Sequence, residues 1–246
     1  MIKNLYLNLI NYIFPSKCFF CKEEVKDFLG LCVNCWPKLN FITPPFCKIC
    51  SYPFEIDNMG LKLCNRCRKI EPSYSNIFSL LKFDNFSKKL VYNFKYYDQT
   101  NLAKFFAYLL YSKYKKNIKQ HDILIPVPMH KIKKLWRLYN QADLLAVELS
   151  KISKIKLEHS LIKKNKLTKS QTSLNKVQRS LNIAGTFSLN GKNISKKSCL
   201  IVDDVFTTGA TAEEISKLLK LNGASKVSII TVAVNILHGL RADISP

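Results

Sequence analysis

The sequence predicts an α/β protein: a parallel sheet flanked by helices, preceded by a small cysteine-rich metal module. Three observations lead there. Apolar strand patterns alternate with helical ones from residue 121 to 235. Eight of the nine cysteines fall within residues 15 to 70, in four C-x2-C pairs. Between these zones lie two stretches of strong helical periodicity. Domains run to roughly 100–200 residues, so this length suits one large domain and one small one. The expected boundaries are 1–14 for an N-terminal helix, 15–70 for the metal module and 75–246 for the α/β domain.

The first segment, Met1 to Phe14, is moderately apolar. A signal peptide is excluded, because Asn4, Asn8 and Asn11 interrupt the apolar stretch and no small-residue cleavage site follows. A lipoprotein signal would need small residues before Cys18, where Pro15, Ser16 and Lys17 stand. A short amphipathic helix is expected instead. No apolar run approaches the roughly 18 residues of a membrane span, so a cytoplasmic protein with no membrane span is expected.

The cysteine pairs are Cys18/Cys21, Cys32/Cys35, Cys47/Cys50 and Cys64/Cys67. A C-x2-C turn lets two thiolates grip one metal, and two such knuckles complete a tetrahedral site. Consecutive grouping predicts two sites, with the pairing of knuckles between them left open. Gly30 and Gly60 precede the second knuckle of each set, where a hairpin must turn. Disulfides do not suit a cytoplasmic chain, a thioredoxin-like motif uses one C-x2-C beside a βαβ unit, and iron–sulfur ligation uses other spacings. Two structural Zn²⁺ ions are therefore expected. Cys199, alone in an apolar strand, reads as a core residue.

In the middle zone, Ile77 to Phe83 reads as a hairpin strand ending in the turn pair Asp84-Asn85. Phe86, Leu90, Val91 and Phe94 then repeat at helical spacing, as do Leu102, Phe105, Phe106, Leu109 and Leu110. These aromatics are expected in the core. Further on, Ile123 to Val127 predicts a buried strand, Ala142 to Ile155 a helix and Cys199 to Val202 a short strand. Ala212 to Leu221 predicts a helix stopped at Gly223, and Val227 to Val234 a last strand. Strands alternating with helices give a parallel sheet covered on both faces.

The chemistry concentrates in Cys199 to Thr211: an apolar strand, Asp203 and Asp204, a small-residue loop, then a helix. Such a loop brings backbone N–H groups and the positive end of a helix dipole to one point, which suits a phosphate. Gly209 permits close approach, and Thr207, Thr208 and Thr211 add hydroxyl donors beside Ala210. Two carboxylates would repel the phosphate itself. They suit ribose hydroxyls, or act as indirect partners of Mg²⁺. An acid pair alone would read as a strand end with an acidic helix cap; the thirteen-residue string is far more specific.

That string resembles the phosphoribosyl-pyrophosphate (PRPP) signature of type I phosphoribosyltransferases: apolar strand, two acids, then T-T-G-x-T. The resemblance implies that Asp203 and Asp204 bind ribose hydroxyls, that Thr207 to Thr211 wrap the 5′-phosphate, and that Mg²⁺ accompanies PRPP. A narrower resemblance, to the ComF family of competence-associated proteins, covers nearly the whole chain. It rests on the paired cysteine knuckles, Asn93-Phe94-Lys95-Tyr96, Ile125 to His130, Arg137 to Ala142, Thr168 to Leu174, Arg179 and Asn182. The fold it implies is a type I phosphoribosyltransferase-like sheet behind a double zinc ribbon. Two departures stand out: Leu138 where the family usually has Gly, and Lys163 or Lys164 where it has Arg, which loses bidentate anion binding. By position, His130 and Lys131 belong to a loop that meets pyrophosphate in the superfamily; His130 as a packing residue of the loop is the plainer alternative. Lys163 to Arg179 reads as a loop able to close over a ligand.

The formal net charge of +22 points to an anionic partner. Five of the 39 basic residues are Arg and the rest Lys, so A/T-rich codon usage explains part of the excess. The same drift should raise Glu, yet Asp plus Glu number only 17. Single-stranded DNA is the expected polyanion, on Lys113, Lys115 and Lys116 with Tyr111 and Tyr114, and on Lys133 and Lys134 with Trp136. The plainer alternative is buried rings and a solvated lysine face. Two functions follow. The favoured one is a protein of DNA uptake and transformation that binds single-stranded DNA, with competence-machinery partners and a regulatory or vestigial PRPP site. The alternative is an active phosphoribosyltransferase with an unknown nitrogen acceptor. No residues for a nucleobase site stand out, and fold likeness does not settle activity.

Overall fold

A computed structural model describes residues 16–25, 30–54, 62–96, 100–129, 139–165, 185–191 and 193–235. The expected N-terminal helix over 1–14 and Gly60 lie outside these. The chain forms α1 (Asn65–Lys69), β1 (Asn76–Lys82), α2 (Asn85–Tyr96), α3 (Asn101–Ile118), β2 (Ile123–Pro126) and α4 (Gln141–Ser153). It continues with β3 (Lys156–Leu157), β4 (Ile162–Lys164), β5 (Phe187–Leu189), β6 (Ser198–Phe206), α5 (Ala210–Leu221) and β7 (Lys226–Val234). Five strands make one sheet in the order β1-β7-β6-β2-β3, with every pairing parallel. β4 and β5 form a separate antiparallel pair.

The strands are apolar on consecutive residues because both faces of the sheet are covered. Along β6, Leu200 and Val202 join one core with Leu90, Phe94, Phe106, Leu110 and Leu145 of α2, α3 and α4. Cys199 and Ile201 join a second core with Ala212, Ile215 and Leu219 of α5. The expected burial of Cys199, Phe94, Phe105 and Phe106 is met, whereas Phe86 is only half-buried at the margin of the core.

β1 is not half of a hairpin. It pairs parallel with β7, and its other edge meets the cysteine module, where Phe41 bridges Leu81 and the Ile42 N–H donates to the Leu80 carbonyl at 3.0 Å. Asp84-Asn85, expected as a turn, starts α2 instead. The Asp84 carboxylate accepts from the Ser87 N–H at 2.8 Å, and the Ser87 hydroxyl accepts from the Asp84 N–H at 2.9 Å. This reciprocal cap satisfies two backbone donors that a helix start leaves unpaired. β6 also runs four residues beyond the expected strand, through both acids to Phe206, because Asp203 and Val205 keep their places opposite Thr231 and Ala233 of β7.

The two halves of the cysteine module dock on opposite sides. Phe20 stacks on Phe86 of α2 at 4.1 Å, and Phe19 and Trp36 meet Phe105 of α3 edge-on. The second half, with Cys47, Cys50, Cys64 and Cys67, shares the core of α5. Among the described residues, no helix is long and apolar enough to cross a membrane.

Candidate phosphate and metal sites

The cysteines settle first, since their spacing leaves little freedom. Cys18, Cys21, Cys32 and Cys35 converge, and so do Cys47, Cys50, Cys64 and Cys67; within each group the sulfurs lie within 4.8 Å of one another. No cysteine is in a disulfide. The Cys21–Cys32 and Cys50–Cys64 sulfur pairs stand at 3.5 and 3.6 Å. Four thiolates around Zn²⁺ at about 2.3 Å have edges of about 3.8 Å, so both groups fit a closed structural zinc site. The Cys32 N–H points at Cys18 Sγ at 3.4 Å. Burial works against a Cys18 thiolate, but backbone hydrogen bonds from Cys21, Cys32 and Phe20 outweigh it and lower this thiol to about 6. Gly30 turns at φ +80, where a Cβ would strike the Phe19 ring.

The candidate phosphate site lies at the carboxyl end of β6, where ligands of parallel sheets collect. Beyond Phe206 the chain bends through Thr207 and Thr208 to Gly209, whose φ of 77° places it in the left-handed region as the N-cap of α5. A glycine brings no capping side chain of its own. The Thr208 hydroxyl reaches the Ala210 N–H only at 3.4 Å. Such a helix start leaves backbone donors facing an incoming anion. Asp203, Asp204 and every residue from Val205 to Ala212 line one cleft of about 500 Å³. Its other walls include Val127, Pro128 and Met129 after β2, together with Lys88, Lys95, Asn140, Gln141, Lys164 and Asn235.

The two acids are electrostatically unequal. Burial pushes the Asp203 carboxyl well above its ordinary range, and the neighbouring Asp204 charge adds to that. Burial also raises Asp204, but the Lys95 ammonium 2.5 Å away outweighs it and holds this carboxyl below its usual value. Lys95 is itself held in place. Tyr139 Oη donates to the Phe94 carbonyl at 2.9 Å and Gln141 Nε2 to the Lys95 carbonyl at 3.4 Å, both at the end of α2. Between them, Asn140 caps α4 by accepting from the Ala142 N–H at 3.2 Å and donates to the Val127 carbonyl at 2.9 Å. The Tyr139-Asn140-Gln141 string therefore ties α2, β2 and α4 together around the cleft.

The structure thus brings together the whole expected set Asp203, Asp204, Thr207, Thr208, Gly209, Ala210 and Thr211. His130 and Lys131, and Lys133, Lys134 and Trp136, lie outside the described residues. So do Leu138, Thr168 to Leu174, Arg179 and Asn182. Lys115 and Lys116 are exposed on α3. Lys113 is a correction. Its stem is exposed, but its amine turns inward and donates to the Ile42 carbonyl, with the Ser79 and Leu80 carbonyls at 3.5 Å. Enclosure lowers this amine to about 8, and an amine committed to three carbonyls is not placed for a nucleic-acid phosphate. Tyr114 is likewise withdrawn from base stacking: it is buried against Phe78 and donates to the Ser79 carbonyl at 2.6 Å. Lys95 and Arg66 have no role that the sequence reveals. Their signals are slight, a lysine in the Asn93 to Tyr96 string and an arginine inside the Cys64–Cys67 knuckle.

Comparison with known proteins follows the same division. Residues 9–68 match the double zinc ribbon domain and residues 140–242 the phosphoribosyl transferase domain. Competence protein F of Haemophilus influenzae is 30% identical over 224 residues, 88% of this chain and 96% of that protein. Competence protein ComFC of Bacillus subtilis is 26% identical over 222 residues, covering 87% of this chain and 86% of its own. DNA utilization protein YhgH of Escherichia coli K12 is 24% identical over 221 residues, 87% of this chain and 95% of that protein. Among solved structures, a purine phosphoribosyltransferase from Pyrococcus horikoshii superposes with a TM-score of 0.34 at 21% identity, over 56% of this chain and 83% of that one. With paired cysteine tetrads, a parallel α/β sheet and near full-length likeness, the chain belongs to the family of competence protein F and ComFC.

Proposed function

We propose that this protein serves the uptake and use of DNA, binding single-stranded DNA on a basic surface, and that its cleft binds PRPP as a regulatory ligand. The names of its relatives, competence protein and DNA utilization protein, support the process. One observation carries the ligand: two acids at the end of β6 and the glycine start of α5 share a single cleft. Asp203 and Asp204 accept from ribose hydroxyls, Thr207 to Thr211 surround the 5′-phosphate, and Mg²⁺ accompanies the pyrophosphate. The zinc ions are structural, as closed four-thiolate sites leave no open coordination position. A reducing cytoplasm is the compartment in which these thiolates stay available to zinc.

Titration calorimetry with Mg²⁺–PRPP, ribose 5-phosphate and inorganic phosphate tests the cleft. Asp203→Ala with Asp204→Ala should weaken PRPP far more than phosphate; equal losses would refute this division of roles. The intact acid pair and phosphate loop also favour a second reading, an active transferase. Pyrophosphate release from PRPP with adenine, guanine, hypoxanthine, uracil and orotate decides it, since saturable turnover with any one base would replace regulation with catalysis.

A further inference from the structure

One side chain joins the second cysteine tetrad to the phosphate loop. Arg66 sits on α1 between Cys64 and Cys67, two members of that tetrad. Its Nη2 donates to the Thr208 carbonyl at 2.9 Å, across 142 residues of sequence. The same nitrogen stands 3.2 Å from where a Cβ on Gly209 would lie. Neighbouring contacts hold the two segments together. The Ser73 N–H and hydroxyl donate to the Glu213 carboxylate on α5 at 3.0 and 2.8 Å, and Tyr74 meets Phe206 edge-on. All four cysteines of this tetrad share a core with Phe206, Ala212 and Ile215. In the first tetrad, Cys18, Cys32 and Cys35 form a small cluster of their own, against Phe20, Val25, Leu31 and Phe86.

The loop explains why a donor is needed there. A trans peptide holds its carbonyl and its N–H on opposite sides. Drawing the Thr208 carbonyl to Arg66 therefore turns the Gly209 N–H away from it. A glycine loop is otherwise free to flip that plane, since glycine populates both signs of φ. A guanidinium adds a fixed positive charge behind the anion site, and its hydrogen bond to a carbonyl is charge-assisted.

We propose that Arg66 is a positioning residue for the phosphate loop, and that through it the second tetrad, rather than the first, governs how tightly the cleft holds a sugar phosphate. This rests on the reading of the cleft as a PRPP site. The zinc ribbon is then part of the ligand site and not an appended module. The loop's aim is set by a knuckle whose own shape depends on its metal.

The test uses the full-length, zinc-loaded protein with ribose 5-phosphate as probe. Arg66→Ala should weaken binding roughly tenfold or more, as loss of a charge-assisted hydrogen bond implies. Arg66→Lys should retain an intermediate affinity, keeping charge without the planar fork. Arg68→Ala is the control: it removes the same charge from the same helix, but its partner is the exposed Asn65. Without ligand, Arg66→Ala should also speed amide hydrogen exchange in residues 207–211 while zinc content stays unchanged. Chelating zinc should weaken ribose 5-phosphate in the wild type and add little to the loss in Arg66→Ala. Equal affinities for Arg66→Ala, Arg68→Ala and wild type, or equal effects of chelation on both proteins, would overturn the proposal. Failure of the wild type to bind ribose 5-phosphate would instead remove the PRPP reading beneath it.

Discussion

Lys95 Nζ lies 2.5 Å from Asp204 Oδ2, joining the end of α2 to the acidic end of β6. A ligand hydroxyl or cation that engages Oδ2 must share this oxygen with Lys95 or displace it. The pair is partly shielded, and removing one member strands the other charge. Lys95→Met should therefore destabilise the protein by about 1–2 kcal/mol, below the cost of breaking a fully buried pair. Adding Asp204→Asn should restore part of the loss. Urea unfolding of the two single variants and the double variant measures the coupling. Additive losses would mean that the pair contributes nothing.

Asp203 should make stability fall as pH rises from the acid side. Its folded pKa is raised above the ordinary 3.8 by burial and by Asp204. Between those two values the folded state binds more protons than the unfolded state, so stability decreases with pH there. Asp203→Asn should be more stable than wild type at neutral pH, with the difference vanishing below the ordinary carboxylate range. Thermal unfolding from acid to neutral pH checks the sign. The same variant should bind ribose 5-phosphate more weakly, the usual exchange of stability for function at a ligand site.

Gly209→Ala should damage both fold and site. The residue is left-handed at φ +77, and a Cβ would stand 2.6 Å from Phe206 Cζ. The left-handed conformation alone costs a non-glycine residue roughly 1–2 kcal/mol, and the Phe206 ring must also shift. Denaturant midpoints and calorimetry with inorganic phosphate should both report the loss. Unchanged phosphate affinity would show that the loop does not hold the anion.

The lysines of α3 should separate into two kinds. Lys115→Glu with Lys116→Glu should weaken single-stranded DNA and flatten its salt dependence, by about 0.7 log units per log unit of salt for each phosphate no longer neutralised. Lys113→Met should leave DNA affinity alone, because its amine is bound to backbone carbonyls. Fluorescence anisotropy with oligonucleotides of several sequences across a salt series distinguishes them. A salt-independent wild-type affinity would remove the DNA reading.

Much of this architecture is legible in the chain. Apolar runs mark β2, β6 and β7, helical spacing marks α2 to α5, and C-x2-C spacing marks both tetrads. The thirteen residues ending at Thr211 announce the cleft. The differences have physical causes. Asp84-Asn85 looks like a turn because the residues that cap helices are those that make turns; the telling partner is Ser87. The strand signal of β6 stops four residues short because acids are rare inside strands, and only pairing with β7 keeps Asp203 and Asp204 in one. Lys113 looks solvent-bound because its carbonyl partner on Ile42 lies 71 residues away. Arg66 and Lys95 are silent for the same reason, since each takes its meaning from a distant stretch of backbone or carboxylate.

β7 sits between β1 and β6, paired with both, yet it is the last of the five strands to leave the ribosome. Until residues 226–234 emerge, β1 lacks its parallel neighbour and β6 can be paired only with β2. The nascent chain must therefore hold two apolar strand edges apart until the strand that fills the space between them is made. Such exposed edges invite pairing with other chains, and contacts this distant in sequence form slowly. The cysteine module is made first and can already cover one edge of β1 through Phe41 and Ile42. Metal loading before synthesis ends would then leave a single gap in the sheet, which the last strand enters from the side already lined by β6.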